Sequence, residues 1–250
     1  MHKLSLALTL STLLTLTLTN NAQAKCAFSD KVDVWPEAKH TITPNQLILL
    51  QAHGSFIASA QDKDVNAKYI FKVTPTKGKT YTIKARFIGN FKGIHKHAVV
   101  IQPEKALPVG ATVTLTNSKL TKGIPGTSWT VQKSQQAEDP MFTDLNMTSS
   151  DHKALGCGPS THMTYNFKGN FAEDTLALAR VSDGENAQTY PVVIEHKSES
   201  LTLGRSMCEG AFTFEPKADY FLFFSTWDKE GKKLNLVPKV IDASLKHADK

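Results

Sequence analysis

Short apolar and β-branched runs, each closed by Gly, Pro, Asn or Asp, recur along this chain, and they leave little room for any fold but an antiparallel β one. In the first half the runs are Gln46–Leu50, Lys68–Val73, Thr80–Ile88, Ala98–Gln102, Ala111–Leu115 and Ser128–Gln132. Between them stand His53-Gly54, Pro75 to Gly78, Gly89-Asn90, Pro103, Pro108 to Gly110 and Lys122 to Gly126. The second half repeats the pattern with Met141–Met147, His162–Phe167, Thr175–Val181, Thr189–Glu195, Ser200–Leu203, Ala211–Phe214, Tyr220–Trp227 and Leu234–Val237. Ser182-Asp-Gly-Glu-Asn186 is a hairpin turn signal between two of these. The run most open to a helical reading, Glu173 to Arg180, alternates Thr175, Ala177 and Ala179 against Leu176 and Leu178, which is period 2 rather than 3.6. Regular short strands with such punctuation point to sandwiches or barrels, not to βαβ units.

Ser134-Gln-Gln-Ala-Glu-Asp-Pro140 is polar, ends in Pro and separates the two sets of strands, so residues 134–140 read as a linker between two domains. The chain of 250 residues is long enough for two such domains. Its start, His2-Lys3, an apolar and Thr-rich run from Leu4 to Thr19, then Asn20 to Ala24, has the form of a secretory signal cut after Ala24. That run is too short and too diluted by Thr and Ser to span a bilayer, so a mature chain from Lys25 is expected in the periplasm or outside the cell. Its last residues, 242–250, form a polar tail.

An oxidising compartment turns the three cysteines into a structural question. Cys157 and Cys208 both lie beside strand-like segments of the second half, and a disulfide between them would stabilise the fold by about 4 kcal/mol on the chain-entropy model. Cys26 is then the odd thiol, free or available to link two copies of the chain, with lipid modification the lesser alternative because Lys25 precedes it where lipoprotein signals carry a small residue. The competing pairing, Cys26 with either partner, would staple the two halves together.

The formal charge of +6 is spread over scattered lysines, which favours weak attraction to anionic surfaces. Arg86, Arg180 and Arg205 are the only arginines, and bidentate phosphate reading relies on Arg. Nucleic acid is therefore not an expected partner; an unidentified protein or envelope polymer is.

Asp33-Val-Trp-Pro36 followed by Ile42-Thr-Pro-Asn-Gln-Leu-Ile-Leu-Leu50 resembles the opening of bacterial Ig-like domains, and Pro103 to Leu115 is similar to a later step of the same family. Val109 intervenes before Gly110, and Val113 stands where that family has tyrosine. Glu215 to Gly231 resembles the penultimate strand and turn of fibronectin-III-like and Ig-like domains, with Lys232 at the usual Asn position. The resemblance implies an all-β chain of two tandem antiparallel β-sandwiches: a signal peptide over 1–24, an Ig-like domain over 25–133, and a fibronectin-III-like or Ig-like domain over 141–241. It implies little about activity, because this fold carries many unrelated functions.

Residues with chemical potential do not assemble into a recognised catalytic set. His95 and His97, at i and i+2, would share one side of a strand and form the first part of a metal site, yet Lys92 and Lys96 oppose a cation and no carboxylate is close in sequence. Ser206 lacks a Gly-x-Ser-x-Gly elbow. Asp62-Lys-Asp64 with Asn66 lacks the Gly and distal Glu of an EF-hand loop. Trp35, Trp129 and Trp227 lie in or beside strands and read as core. Phe87, Phe91 and Lys92 fall in a predicted hairpin tip, where exposed aromatics and a cation would mark a contact surface. The expectation is a non-enzymatic interaction or scaffolding protein of the bacterial envelope without a cofactor; a small secreted hydrolase or metal protein using His95 and His97 is the alternative. Non-reducing peptide mapping of the secreted chain is expected to recover Cys157 linked to Cys208; a linked peptide containing Cys26 and either of them would overturn that pairing.

Overall fold

The computed structural model describes residues 31–38, 40–54, 69–117, 127–133, 141–155, 158–170, 174–195, 198–215, 220–227 and 233–235. Within them the chain is all-β, with no helix. The first half supplies β1 (Lys31–Trp35), β2 (Thr41–Ile42), β3 (Ile48–His53), β4 (Tyr69–Thr74), β5 (Tyr81–Lys92), β6 (Lys96–Pro103), β7 (Thr112–Asn117) and β8 (Ser128–Val131). The second half supplies β9 (Met141–Leu155), β10 (Gly158–Asn170), β11 (Thr175–Ser182), β12 (Ala187–Ile194), β13 (Ser200–Arg205), β14 (Phe221–Trp227) and β15 (Lys233–Asn235).

The first eight strands are linked in the order β1-β3-β6-β5-β4-β7-β8-β2. β5 joins two layers: residues up to Lys84 pair with β4, and those from Ala85 pair with β6. A bulge between Phe87 and Gly89 offsets the β6 register, and bulges of this kind bend a strand. Ile48, Leu50, Val99 and Ile101 on one layer meet Phe71, Val73, Val113 and Trp129 on the other in one buried cluster. The Trp129 indole donates to the Pro36 and Glu37 carbonyls at 3.0 and 3.1 Å, which ties the segment after β1 to β8.

The second half forms a three-stranded sheet, β13-β10-β9, and a four-stranded sheet, β12-β11-β14-β15. Met163, Tyr165, Phe167 and Leu203 from one, and Leu176, Ala179, Leu222 and Trp227 from the other, lie in a second buried cluster. The hairpin expected at Ser182 to Asn186 joins β11 to β12, with the Asp183 carboxylate accepting from the Glu185 and Asn186 amides at 3.0 and 2.6 Å.

That second cluster does not stop at the second half. Leu47, Leu49, Ala98 and Val100, from the outer face of β3 and β6 and the residue before β3, are buried in it, with Trp35, Ile88 and Phe91 packed against it. Alternation puts Ile48, Leu50, Val99 and Ile101 toward the first core and these residues toward the second. The β1-β3-β6-β5 layer is thus covered on both faces, which is why β6 is buried along almost its whole length. Backbone pairing seals the contact: the Ile94 amide donates to the Gly210 carbonyl at 2.8 Å, and the Gly210 amide returns a bond to Ile94 at 3.2 Å.

Two sequence expectations are corrected. Ala211–Phe214 is not a strand; Ala211 and Phe212 instead bond back to the Gly204 carbonyl, and Gln188 holds both the amide and the carbonyl of Thr213. Phe87 to Lys92 is not a hairpin tip but the continuation of β5 across the bulge, the turn itself lying at Gly93 to His95. The linker at 134–140 and the tail at 242–250 fall outside the described residues, as does residues 1–24.

Gly204, in β13, shows how closely the strands approach there. Its φ is +151°, and a Cβ there would sit 2.0 Å from the Thr161 carbonyl oxygen, whereas Gly184, at φ +97°, faces open space. Gly204→Ala is expected to cost well over about 2 kcal/mol and Gly184→Ala only about 1 kcal/mol, since the second meets backbone strain without a clash. Urea unfolding of the two variants checks this; equal losses would show that the Gly204 contact relaxes freely.

Candidate functional site

Where the two halves meet, the outer face of the first sheet changes from apolar to polar at one end. Alternation carries Leu47 and Leu49 into Gln51 and His53 along β3, places Lys31 and Asp33 on the neighbouring β1, and places Lys96 on β6. Lys31 and Lys96 are the cross-strand partners of His53 on either side. From the second half, the turn of Ser206 to Glu209 brings in Glu209, held by reciprocal bonds between Ser206 and Glu209.

His53 is only 4 % exposed and bridges the halves. Its Nδ1 donates to Glu209 Oε2 at 3.0 Å, because a carboxylate can only accept. Its Nε2 lies 3.2 Å from Asp33 Oδ2, at ion-pair distance but without hydrogen-bonding alignment. Asp33 is in turn bound by Lys31 at 2.8 Å. Lys96 sits 5.2 Å from the Tyr190 ring centroid; burial pulls its pKa down, against the opposing pull of the Glu209 and Asp33 carboxylates. Tyr190 is 1 % exposed, and burial holds its phenol far above the usual range. Beside this row lies a cleft of about 330 Å³, with Leu49, Gln51 and Lys96 on one wall and Tyr190, Val192 and Phe212 among those on the other.

The residues singled out from sequence fall elsewhere. His95 is exposed in the β5–β6 turn at φ 54°, while His97 is 0 % exposed within β6, so the two imidazoles do not present to one ion. Among the described residues no group of three or more His, Cys, Asp or Glu side chains has metal-binding geometry. Phe87 and Phe91 are half-buried, packed against the first and second clusters respectively, and Lys92 is exposed. The bulge between them sends these two rings to opposite sides of the sheet. Cys208 is engaged with a partner and not free; Cys157 and Cys26 lie outside the described residues, as do Asp62, Asp64 and Asn66. Sequence reasoning passed over Asp33, Gln51, His53, Lys96, Tyr190 and Glu209. His53 and Glu209 are 156 positions apart, a separation no local spacing could flag; the one available signal was a glutamine and a histidine closing an otherwise apolar strand.

No protein-family model and no curated protein matches the chain. Among solved structures it is similar to a pullulanase type I from Bacillus subtilis, at 10% identity and TM-score 0.25 over 87% of this chain and 27% of that one. It is also similar to dimeric latent PorU from Porphyromonas gingivalis, at 10% identity and TM-score 0.29 over 87% and 20%. A two-domain fibronectin type III segment from chicken tenascin, at 10% identity and TM-score 0.25, is matched over 86% of this chain and 99% of that segment. The chain spans about a quarter of the length of the pullulanase and a fifth of that of PorU. Superpositions of this quality leave function to be argued from the chain's own geometry.

His97 supplies a measurable consequence. Both of its ring nitrogens are buried without a hydrogen-bond partner, and burial first, then the Lys92 charge, lowers its pKa below the ordinary value of 6.5. The folded state therefore resists a proton that the unfolded state accepts, so the stability held above about pH 6.5 declines as pH falls, by at most about 1.4 kcal/mol per unit until the folded pKa is passed. His97→Leu is expected to flatten this dependence and to leave stability at pH 8 equal or higher. Chemical unfolding at pH 8 and pH 5 measures both; an unchanged acid slope would show that His97 is not the group responsible.

Proposed function

We propose that this protein is a non-enzymatic interaction or scaffolding module of the bacterial envelope, secreted or periplasmic, built from an Ig-like and a fibronectin-III-like sandwich. The observation that carries this reading is how the polar row at the junction is used. His53, the buried base best placed for chemistry, donates its Nδ1 proton to a carboxylate of the opposite half and faces a second carboxylate with Nε2. A general base needs a free nitrogen within reach of a substrate proton; here both nitrogens face the protein's own carboxylates. The ring acts as a strut that fixes one half against the other, beside an apolar contact that already buries Leu49 and Val100.

The disulfide between Cys157 and Cys208 belongs to the same reading. A Cβ on Gly158 would lie 3.7 Å from the Met207 carbonyl oxygen, and Arg205 Nε donates to the Pro159 carbonyl at 3.1 Å, so the residues beside each cysteine are adjacent in space. Such a staple would brace the turn that delivers Glu209. Cys26 remains as a thiol able to link two chains.

The test is an affinity capture from an envelope extract with the immobilised chain from Lys25 to Lys250, run beside a hydrolase panel of ester, peptide and glycoside substrates. Retention of a defined envelope protein or polymer without turnover is the expected result. Turnover that disappears in His53→Asn while the fold is kept would replace the scaffold reading with a catalytic one.

A further inference from the structure

The outer edge of β9 offers a self-complementary surface. β9 is the edge strand of its three-stranded sheet, paired on one side to β10, and among the described residues no strand lies on its other side. Edge strands in monomeric proteins are blunted by proline, by bulges or by charges that clash with an incoming strand. From Ser149 to Leu155 there is no proline and no bulge, and the two formal charges, Asp151 and Lys153, are of opposite sign, so they do not of themselves repel a second copy of the same strand. The register of this segment with Gly158 to Thr164 is unbroken, the nearest shift falling beyond Ser149. All seven residues are exposed, and Leu155 is 45 % exposed.

The charges on this edge invite a copy of the strand. Asp151 and Lys153 are two residues apart on one face, 2.9 Å from each other, with side chains about half to two-thirds exposed. If a second β9 is laid antiparallel alongside the first, with a twofold axis through His152, Asp151 of each copy falls opposite Lys153 of the other. The same register sets Ser150 opposite Ala154 and Ser149 opposite Leu155. Directly opposed residues on antiparallel strands are the pairs that stabilise or oppose a sheet, and a twofold axis makes each such contact twice. We propose that this chain self-associates through antiparallel pairing of β9 centred on His152, joining two three-stranded sheets into one of six strands.

The register makes the proposal sharply testable by charge exchange on exposed side chains. Sedimentation equilibrium of the Lys25 to Lys250 chain, carrying Cys26→Ser so that no thiol can link copies, gives the dimer dissociation constant over a concentration series. Asp151→Lys sets lysine against Lys153 of the other copy, and Lys153→Asp sets aspartate against Asp151. Each is expected to weaken the dimer roughly tenfold at low salt. The double variant Asp151→Lys with Lys153→Asp restores opposite charges in the same register, and its constant should return to within about threefold of the parent. A parent chain that stays monomeric throughout overturns the proposal. So does a dimer in which the double variant is no stronger than the single ones, because that places the contact elsewhere or in another register.

Discussion

The structure depends on covering one sheet face. In the β1-β3-β6-β5 layer, residues turned away from the first core include Leu49, Ala98 and Val100, with Trp35, Ile88 and Phe91 beside them. An apolar surface of this kind is unfavourable in water by roughly 1.5 to 3 kcal/mol for each large aliphatic or aromatic side chain, so the layer needs a second cover. The second half supplies it, and the rest follows: glycines where the two backbones meet, a histidine strut where the contact turns polar, and a shared buried cluster. A Cβ on Gly93 would come within 2.6 Å of the Gly210 carbonyl oxygen, so the bonds between Ile94 and Gly210 require that closeness.

Much of this is legible in the sequence, though not all of it. Strand positions were legible because turn residues punctuate them. The all-β class followed from the same pattern, and the hairpin at Ser182 to Asn186 followed from Asp-Gly chemistry. Missing alternation is the subtler signal. Leu47-Ile-Leu-Leu50 and Ala98-Val-Val-Ile101 are continuous apolar runs, and a strand with one face in water would alternate. Those two runs announced a layer covered on both sides, but not by what, since the cover comes from the other half of the chain.

The local errors have equally definite causes. Gly89-Asn90 looks like a turn, but a glycine inside a strand also marks a bulge, and here the strand runs on to Lys92. Phe212 and Phe214 have strand-like spacing, yet their backbone is satisfied by the Gly204 carbonyl and by Thr161 Oγ1 instead of a ladder. The pairing of His95 with His97 assumed strand geometry at both residues, and His95 lies in the left-handed region of the turn. Tertiary polar sets such as Asp33, His53 and Glu209 leave no trace in spacing, because nothing in the chain between them records the distance that folding will close.

The shared face also has a temporal side. A chain made from its amino terminus completes β1 to β8 before β9 exists, and contacts between distant segments form slowly because a long loop must close first. Until the second half arrives, the first carries an uncovered apolar layer, the kind of surface on which chains aggregate or chaperones settle. Were the first half to fold ahead of the second, the second would meet a docking platform already in place, down to the Ile94 amide and carbonyl that bond Gly210. A folding order that follows the order in which the chain emerges would make the earlier half a template for the later one.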